Sequence, residues 1–78
     1  MDWRDYITSD AETLVGKPRV RGTRLSVEFI LGLFAGGWTT DEVLREYPSL
    51  TPEALRGVFA YAAEVLHDEM LFPLPSAS

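Results

Sequence analysis

The stretch GKPRVRGTR, residues 16–24, collects most of the positive charge of a chain of 78 residues. Arginine guanidinium groups bind phosphate and carboxylate groups through paired hydrogen bonds, which makes this stretch the first candidate for recognition chemistry. Because side chains alternate along a strand, an extended segment would put Arg19 and Arg21 on one face and Val20 on the other. An edge strand whose charges only discourage aggregation is the competing interpretation, and the sequence leaves both open. Four of the chain's 7 basic residues lie here, namely Lys17, Arg19, Arg21 and Arg24.

The rest of the chain is acidic. Residues 1–15 hold one basic residue against four acidic ones, residues 25–78 hold two against eight, and the net charge is −5. Nucleic acid attracts domains that are basic overall, so this charge distribution suits a partner of mixed charge better. The stretch also lacks the G-x-x-x-x-G-K-[ST] spacing of a nucleotide-binding loop. We therefore expect a local contact with phosphate or carboxylate groups.

No constellation of residues indicates catalysis. The chain has no cysteine, which excludes thiolate nucleophiles, thiolate metal sites and disulfides. The single histidine, His67, falls near the end of a predicted helix, where a surface role beside the helix dipole is the simpler interpretation. The carboxylates are spread along helix faces, as in a solvated surface. We expect no catalytic residue, no metal site and no cofactor, and thus a protein that is not an enzyme.

Length and composition predict one globular domain over residues 1–78. The hydrophobic fraction is 46% and the charged fraction 24%, which is typical of a folded domain. No leader-like apolar run opens the sequence, and no stretch approaches the roughly 20 apolar residues of a membrane span. We expect a cytoplasmic protein without membrane contact. Within the domain we predict a β and turn element over 1–25, a helical core over 26–70 and a tail over 71–78.

Turn residues and helix caps divide the chain into short elements. Runs at 6–8 and 13–15 are of β type, and Gly22 favours a tight turn or hairpin within the basic stretch. Three amphipathic helices follow, over about 27–36, 40–47 and 52–70. The second begins with a capping box, in which Thr39 is the N-cap and Glu42 occupies the third helical position. The predicted fold is mainly α, with a three-helix core behind a short N-terminal β-hairpin.

The third helix has more apolar surface than a small monomer needs. One stripe, predicted as core, consists of Leu55, Val58, Phe59, Ala62 and Leu66. A second stripe lies beside it and predicts a dimer or partner surface, most often of two-fold symmetry. Alternatively, the N-terminal strands cover the second stripe. The predicted dimer or partner surface consists of Ala54, Tyr61, Val65 and, from the apolar tail, Phe72.

The second and third helices, joined by YPSL, resemble a helix-turn-helix unit. The first turns of the third helix offer one basic residue, Arg56, and few groups that pair with base edges. If DNA is bound, we therefore expect residues 16–24 to supply much of the contact. The apolar, proline-containing tail has three interpretations: packing on its own core, exchange with a neighbouring copy, and insertion into a partner's groove.

Taken together, GKP, GTR and YPSLT resemble the DUF433 family of small prokaryotic proteins over about residues 6–66. The resemblance implies a homeodomain-like, helix-turn-helix fold behind a small β element. It also implies an antitoxin of a type II toxin–antitoxin pair, which binds a PIN-like ribonuclease and represses its own operon. No catalytic residues carry over from the family. The matching positions are Gly16, Lys17, Pro18, Gly22, Thr23, Arg24, Gly37, Glu42, Tyr47, Pro48, Leu50, Thr51, Tyr61 and Ala62.

The resulting hypothesis is a non-catalytic, homodimeric antitoxin-like module that binds a PIN-like nuclease and, as a further expectation, operator DNA. A DNA-binding regulator without a toxin and a structural dimerisation domain are the alternatives. The residues expected to bind nucleic acid or the partner are Lys17, Arg19, Arg21, Arg24 and Arg56.

Overall fold

The computed structural model describes the backbone of residues 1–10 and 13–69, and the side chains of residues 1–9 and 16–67. The predicted tail, including Phe72, lies outside these ranges. A 3-10 turn over Trp3–Asp5 leads into strands β1 (Ile7–Asp10) and β2 (Thr13–Val20). Helices α1 (Val27–Ala35), α2 (Thr40–Glu46) and α3 (Pro52–Glu69) follow. The prediction of a mainly α fold with three helices and an N-terminal hairpin is confirmed.

The hairpin is a two-stranded antiparallel sheet. Ile7 pairs with Val20 and Ser9 with Pro18, and the register shifts after Ser9. With only two strands both are edges, so Pro18 can occupy a strand although it has no amide hydrogen to donate. β2 is longer than the predicted 13–15 because the basic stretch continues the strand as far as Val20.

Local hydrogen bonds begin the helices where the sequence predicts. The Ser26 hydroxyl accepts from the Phe29 amide at 3.0 Å, and the Thr51 hydroxyl accepts from the Ala54 amide at 3.0 Å. The Thr39–Glu42 capping box is present in both directions. The hydrogen bond from the Thr39 amide lowers the pKa of Glu42 below its usual value. A lowered pKa means that this stabilisation is present at neutral pH and is lost as the pH falls through the pKa of Glu42 in the folded protein.

A single apolar core joins the hairpin to all three helices. Two core residues come from the strands, two from α1, one from α2, one from the α2–α3 connection and three from α3. Ile30, Val43 and Val58 are completely buried, so each helix has at least one side chain at the centre. The buried residues are Ile7, Val20, Val27, Ile30, Val43, Leu50, Ala54, Leu55 and Val58.

The burial of α3 agrees with the prediction only in part: Leu55 and Val58 are buried as expected. Phe59 and Leu66, expected in the core, are 44% and 60% exposed. Ala54, expected on a dimer or partner surface, is buried in the core of the single chain. Tyr61 meets the Trp3 ring edge-on, with 4.8 Å between ring centroids. The cover over this part of the second stripe comes from the 3-10 turn, whereas the alternative interpretation expected it from the N-terminal strands. The remaining described member, Val65, is half-buried.

Gly57 explains why the N-terminal segment can pack so closely against α3. A Cβ atom placed there would lie 2.9 Å from the Cβ of Tyr6 and 3.3 Å from its Cγ. Real Cβ atoms do not approach so closely, so any side chain at this position would displace Tyr6. The glycine sits inside a helix, where its intrinsic propensity is poor, because the packing requires it.

Gly57→Ala therefore lowers stability, although alanine is the better helix former. We expect a loss of about 1–3 kcal/mol, the usual range for overpacking. Gly32→Ala in α1 is the matched control, because a Cβ there meets nothing within 4 Å. This control should raise stability by about 0.5–1 kcal/mol. Urea unfolding of both variants checks the prediction, and a stabilised Gly57→Ala protein would contradict the close contact.

Candidate functional site

The basic stretch ends in a closed turn that follows β2 and precedes α1. We call residues 19–24, which include the last two residues of β2, the basic loop. The Thr23 amide donates to the Val20 carbonyl oxygen at 3.0 Å, which closes a β-turn. Gly22, the third residue of that turn, has a φ of 78°. That conformation strongly favours glycine at this turn position. The Val20 amide then donates to the Leu25 carbonyl oxygen at 3.0 Å, so the chain returns beside the strand it has left.

Thr23 holds the loop together from within. Its hydroxyl donates to the Val20 carbonyl oxygen at 2.9 Å and accepts from the Leu25 amide at 3.0 Å. Arg19 Nη1 donates to the Thr23 carbonyl oxygen at 3.1 Å. Side-chain and backbone groups thus fix the loop before any partner is bound.

Arg19 and Arg21 do not form the equally exposed pair that strand alternation predicts. Ser26, just before α1, forms an isolated antiparallel β-bridge with Arg19. The Arg19 side chain is half-buried. Its Nε atom is buried without a hydrogen-bond partner among the described residues. Arg21 stays exposed one residue further on. Arg19 is therefore a positioning residue of the loop, a role that alternation along one strand could not indicate.

Arg21 and Arg24 are the exposed cations of the basic loop. The Arg21 amide donates to the Tyr6 carbonyl oxygen at 2.8 Å, and Arg21 Nε donates to the Arg4 carbonyl oxygen at 3.2 Å. These bonds orient the guanidinium group and leave its two Nη atoms for a ligand. Arg24 makes no side-chain hydrogen bond or ion pair within the described part of the chain. Both arginines can offer the paired donors that a carboxylate or phosphate accepts.

The other predicted cations are placed differently. Lys17 Nζ lies 3.4 Å from Glu28 Oε1, and both side chains are mostly exposed. Such a surface pair contributes little to stability, so Lys17 can exchange its partner. Arg56 is exposed in the first half of α3. It is separate from the basic loop in sequence and makes no hydrogen bond to it within the described residues.

Arg4 also belongs to the site, although no sequence pattern points to it. Its carbonyl oxygen accepts from Arg21, and its guanidinium carbon lies 4.4 Å from the centre of the Trp3 ring. Arg4 also lies 3.7 Å from Glu64 on α3. These contacts tie the N-terminal turn to the loop and to α3. A lone arginine near the start of a chain carries no sequence signal for such a role.

An apolar groove that no sequence pattern indicates lies beside Lys17. Its volume is about 250 Å³. Small-molecule sites are usually larger, at about 300–1,000 Å³. Among the described residues, no group of three or more histidine, cysteine or acidic side chains could hold a metal ion. The groove is lined by Lys17, Pro18, Val27, Glu28, Leu31 and Tyr61.

Arg19→Met tests whether this side chain supports the loop. Methionine keeps the apolar stem and removes the hydrogen bond to the Thr23 carbonyl oxygen. We expect a loss of about 1 kcal/mol in stability and faster amide exchange at Thr23 and Leu25. Arg24→Met is the matched control and should leave both quantities unchanged. Equal protection of the loop amides in the two variants would show that Arg19 does not hold the loop.

No described helix is long and apolar enough to cross a membrane.

Comparison with known proteins gives a family match without a functional description. Residues 7–62 match DUF433, described as "Protein of unknown function (DUF433)". An uncharacterized protein of Sinorhizobium fredii, y4eO, is 37% identical over 59 residues, which cover 76% of this chain and 27% of that relative. The chain therefore corresponds to only a minor part of that relative's length. No solved structure matches the chain significantly. Because the matched residues include both strands of the hairpin, the basic loop, α1, α2 and the first 11 of the 18 residues of α3, the chain belongs to the DUF433 family.

Proposed function

We propose that this protein is a non-catalytic, antitoxin-like binding module whose partner is a PIN-like nuclease. The observation that carries the proposal is the basic loop, which presents Arg21 and Arg24 from a backbone already fixed by hydrogen bonds. The resemblance to antitoxins supplies the class of partner. The proposed setting is the cytoplasm, where such a nuclease would meet its RNA substrates.

A fixed loop favours binding because little conformational freedom is lost when the partner arrives. Hydrogen bonds made by Thr23 and Arg19 within the loop set its shape. The bond from Arg21 Nε to Arg4 also limits the rotamers of the Arg21 side chain. The loop therefore resembles a prepared recognition element more than a flexible, solvated edge.

The chemistry of the exposed groups fits an acidic partner surface. PIN-type nucleases hold their metal ions with clustered carboxylates, and arginine is suited to paired hydrogen bonds with carboxylates. An arginine placed among those carboxylates would compete with the metal ions for them. The acidic remainder of this chain would repel an acidic partner surface elsewhere. The basic loop would therefore determine where the partner binds.

Arg24→Glu should weaken the complex with a nuclease partner at least tenfold, because one attraction becomes a repulsion. The test is to express the tagged protein with each neighbouring reading frame and to record co-purification and host growth. Arg45→Glu is the matched control, since Arg45 is an exposed arginine of α2 and the charge change is the same. We expect Arg45→Glu to retain the partner and to relieve growth inhibition to the same extent as the unchanged protein does.

Two outcomes would contradict this proposal. One is the absence of any stoichiometric partner among the neighbouring gene products. The other is a partner that Arg24→Glu and Arg45→Glu retain equally, because the basic loop would then have no special role. Retention of partner and DNA alike in a double variant, Arg21→Glu with Arg24→Glu, would show that the basic loop has no recognition role and is only a solvated edge.

A DNA-binding regulator is the second candidate, and the exposure of Arg56 near the start of α3 favours it. This arginine follows α2 and a short connection, in the order of a helix-turn-helix unit. Glu53 in the first turn of α3 opposes a close approach to phosphate. Backbone phosphates would therefore be contacted by Arg21 and Arg24 together with Arg56.

The salt dependence of DNA affinity tests this second candidate. Three free arginines in each subunit of a dimer make about six phosphate contacts, so log K should fall against log salt with a slope near −5. Fluorescence anisotropy with a duplex from the region upstream of the gene measures this slope. A slope near zero, or a slope unchanged in Arg24→Glu, would exclude phosphate contacts by the loop.

A further inference from the structure

α3 carries a second apolar face that stays exposed among the residues that the structure describes. Phe59 and Leu66 are 44% and 60% exposed and lie seven residues, or about two turns, apart on one side of the helix. Ala63, between them, is also exposed, and Ala62 is half-buried. Of the predicted dimer or partner surface, Ala54 is buried and Tyr61 and Val65 are half-buried, so the exposed apolar side chains of α3 lie on this other side.

We propose that a second copy of this chain packs on this face, with the two α3 helices antiparallel and a two-fold axis beside Ala62 and Ala63. Residues 59 and 66 are equally far from that axis. The two-fold rotation therefore places Phe59 of each copy against Leu66 of the other. This inference does not rest on the proposed function, because it concerns the purified chain alone.

The small residues at the centre make the close approach feasible. Helices approach to about 8 Å when the side chains at their crossing are small. With alanines at the axis, the large side chains of Phe59 and Leu66, each about one turn away, can meet their counterparts without holding the helices apart. Phe34 of α1 packs against Phe59, with 5.1 Å between ring centroids, and so extends the apolar face beyond α3.

Charge distinguishes the antiparallel arrangement from the parallel one. In an antiparallel pair, Arg56 of one copy lies level with the last turn of the other α3. The C-terminus of a helix carries a partial negative charge, which attracts a cation. In a parallel pair, Arg56 would lie beside its own counterpart, and the like charges would repel. The antiparallel pair is therefore favoured.

The size of the face sets the strength of the contact. Stable complexes bury about 1,200–2,000 Å² in total, whereas smaller interfaces are typical of transient association. A contact centred on two helix turns and one neighbouring aromatic ring belongs to the smaller class. We expect a dissociation constant in the micromolar range, about 1–100 μM, and a sedimentation coefficient that rises with concentration.

Single cysteines test the arrangement cleanly, because the chain has none of its own. Ala63→Cys places the two thiols beside the axis, and mild oxidation should crosslink most of the protein at concentrations above the dissociation constant. Arg56→Cys is the matched control, one heptad earlier and also exposed. In the antiparallel pair its two copies are about 20 Å apart along the helices and should not crosslink, because a disulfide requires Cα atoms within about 7 Å.

A disrupting variant tests the same face without crosslinking. Ala63→Glu puts two carboxylates at the axis and should give a monomer at all concentrations up to about 100 μM, while the thermal midpoint measured at low concentration stays unchanged. Crosslinking of both cysteine variants would indicate parallel helices and overturn the proposal. So would a monomeric unchanged protein in sedimentation at that concentration, or a dimer that survives Ala63→Glu.

Discussion

The close contact between Gly57 and Tyr6 links the helical core to the candidate binding loop. Tyr6 packs where α3 has no side chain, and its carbonyl oxygen accepts from the Arg21 amide. The position of the loop is thus connected through one residue to the position of α3. Trp3 on Tyr61 and Arg4 near Glu64 reinforce the same attachment on neighbouring turns. A short chain with a small core gains rigidity from such a contact, because three elements share it.

The basic residues divide into those that build the loop and those that the loop presents. Arg19 is half-buried and donates within the loop, whereas Arg21 and Arg24 are exposed. A guanidinium group can serve either purpose, because its several donors satisfy backbone carbonyl oxygens as readily as carboxylates. The concentration of positive charge in residues 16–24 therefore overstates the number of cations available to a partner. It nevertheless marks the segment from which the exposed cations Arg21 and Arg24 are presented.

α3 shows how a helix with a broad apolar surface is shared between internal and external contacts. One side packs on the hairpin and the N-terminal turn, and Phe59, Ala63 and Leu66 on another side are exposed. Among the described elements, the hairpin, the N-terminal turn and the other helices leave this second face exposed. A contact with another copy is a simple way to cover it, because a two-fold axis makes the face its own complement.

The sequence by itself determined the local architecture of this protein. Ser26, Thr39 and Thr51 begin the three helices as predicted, because a cap is completed within one turn by residues close in sequence. The Gly22 turn is equally local. The motifs GKP, GTR and YPSLT also indicated the DUF433 family. Only the tertiary structure decided which residues of α3 besides Leu55 and Val58 face inward, and which arginine supports the loop. These outcomes depend on contacts between residues far apart in sequence, such as Tyr6 with Gly57, and such packing leaves no periodic or spacing signal along the chain.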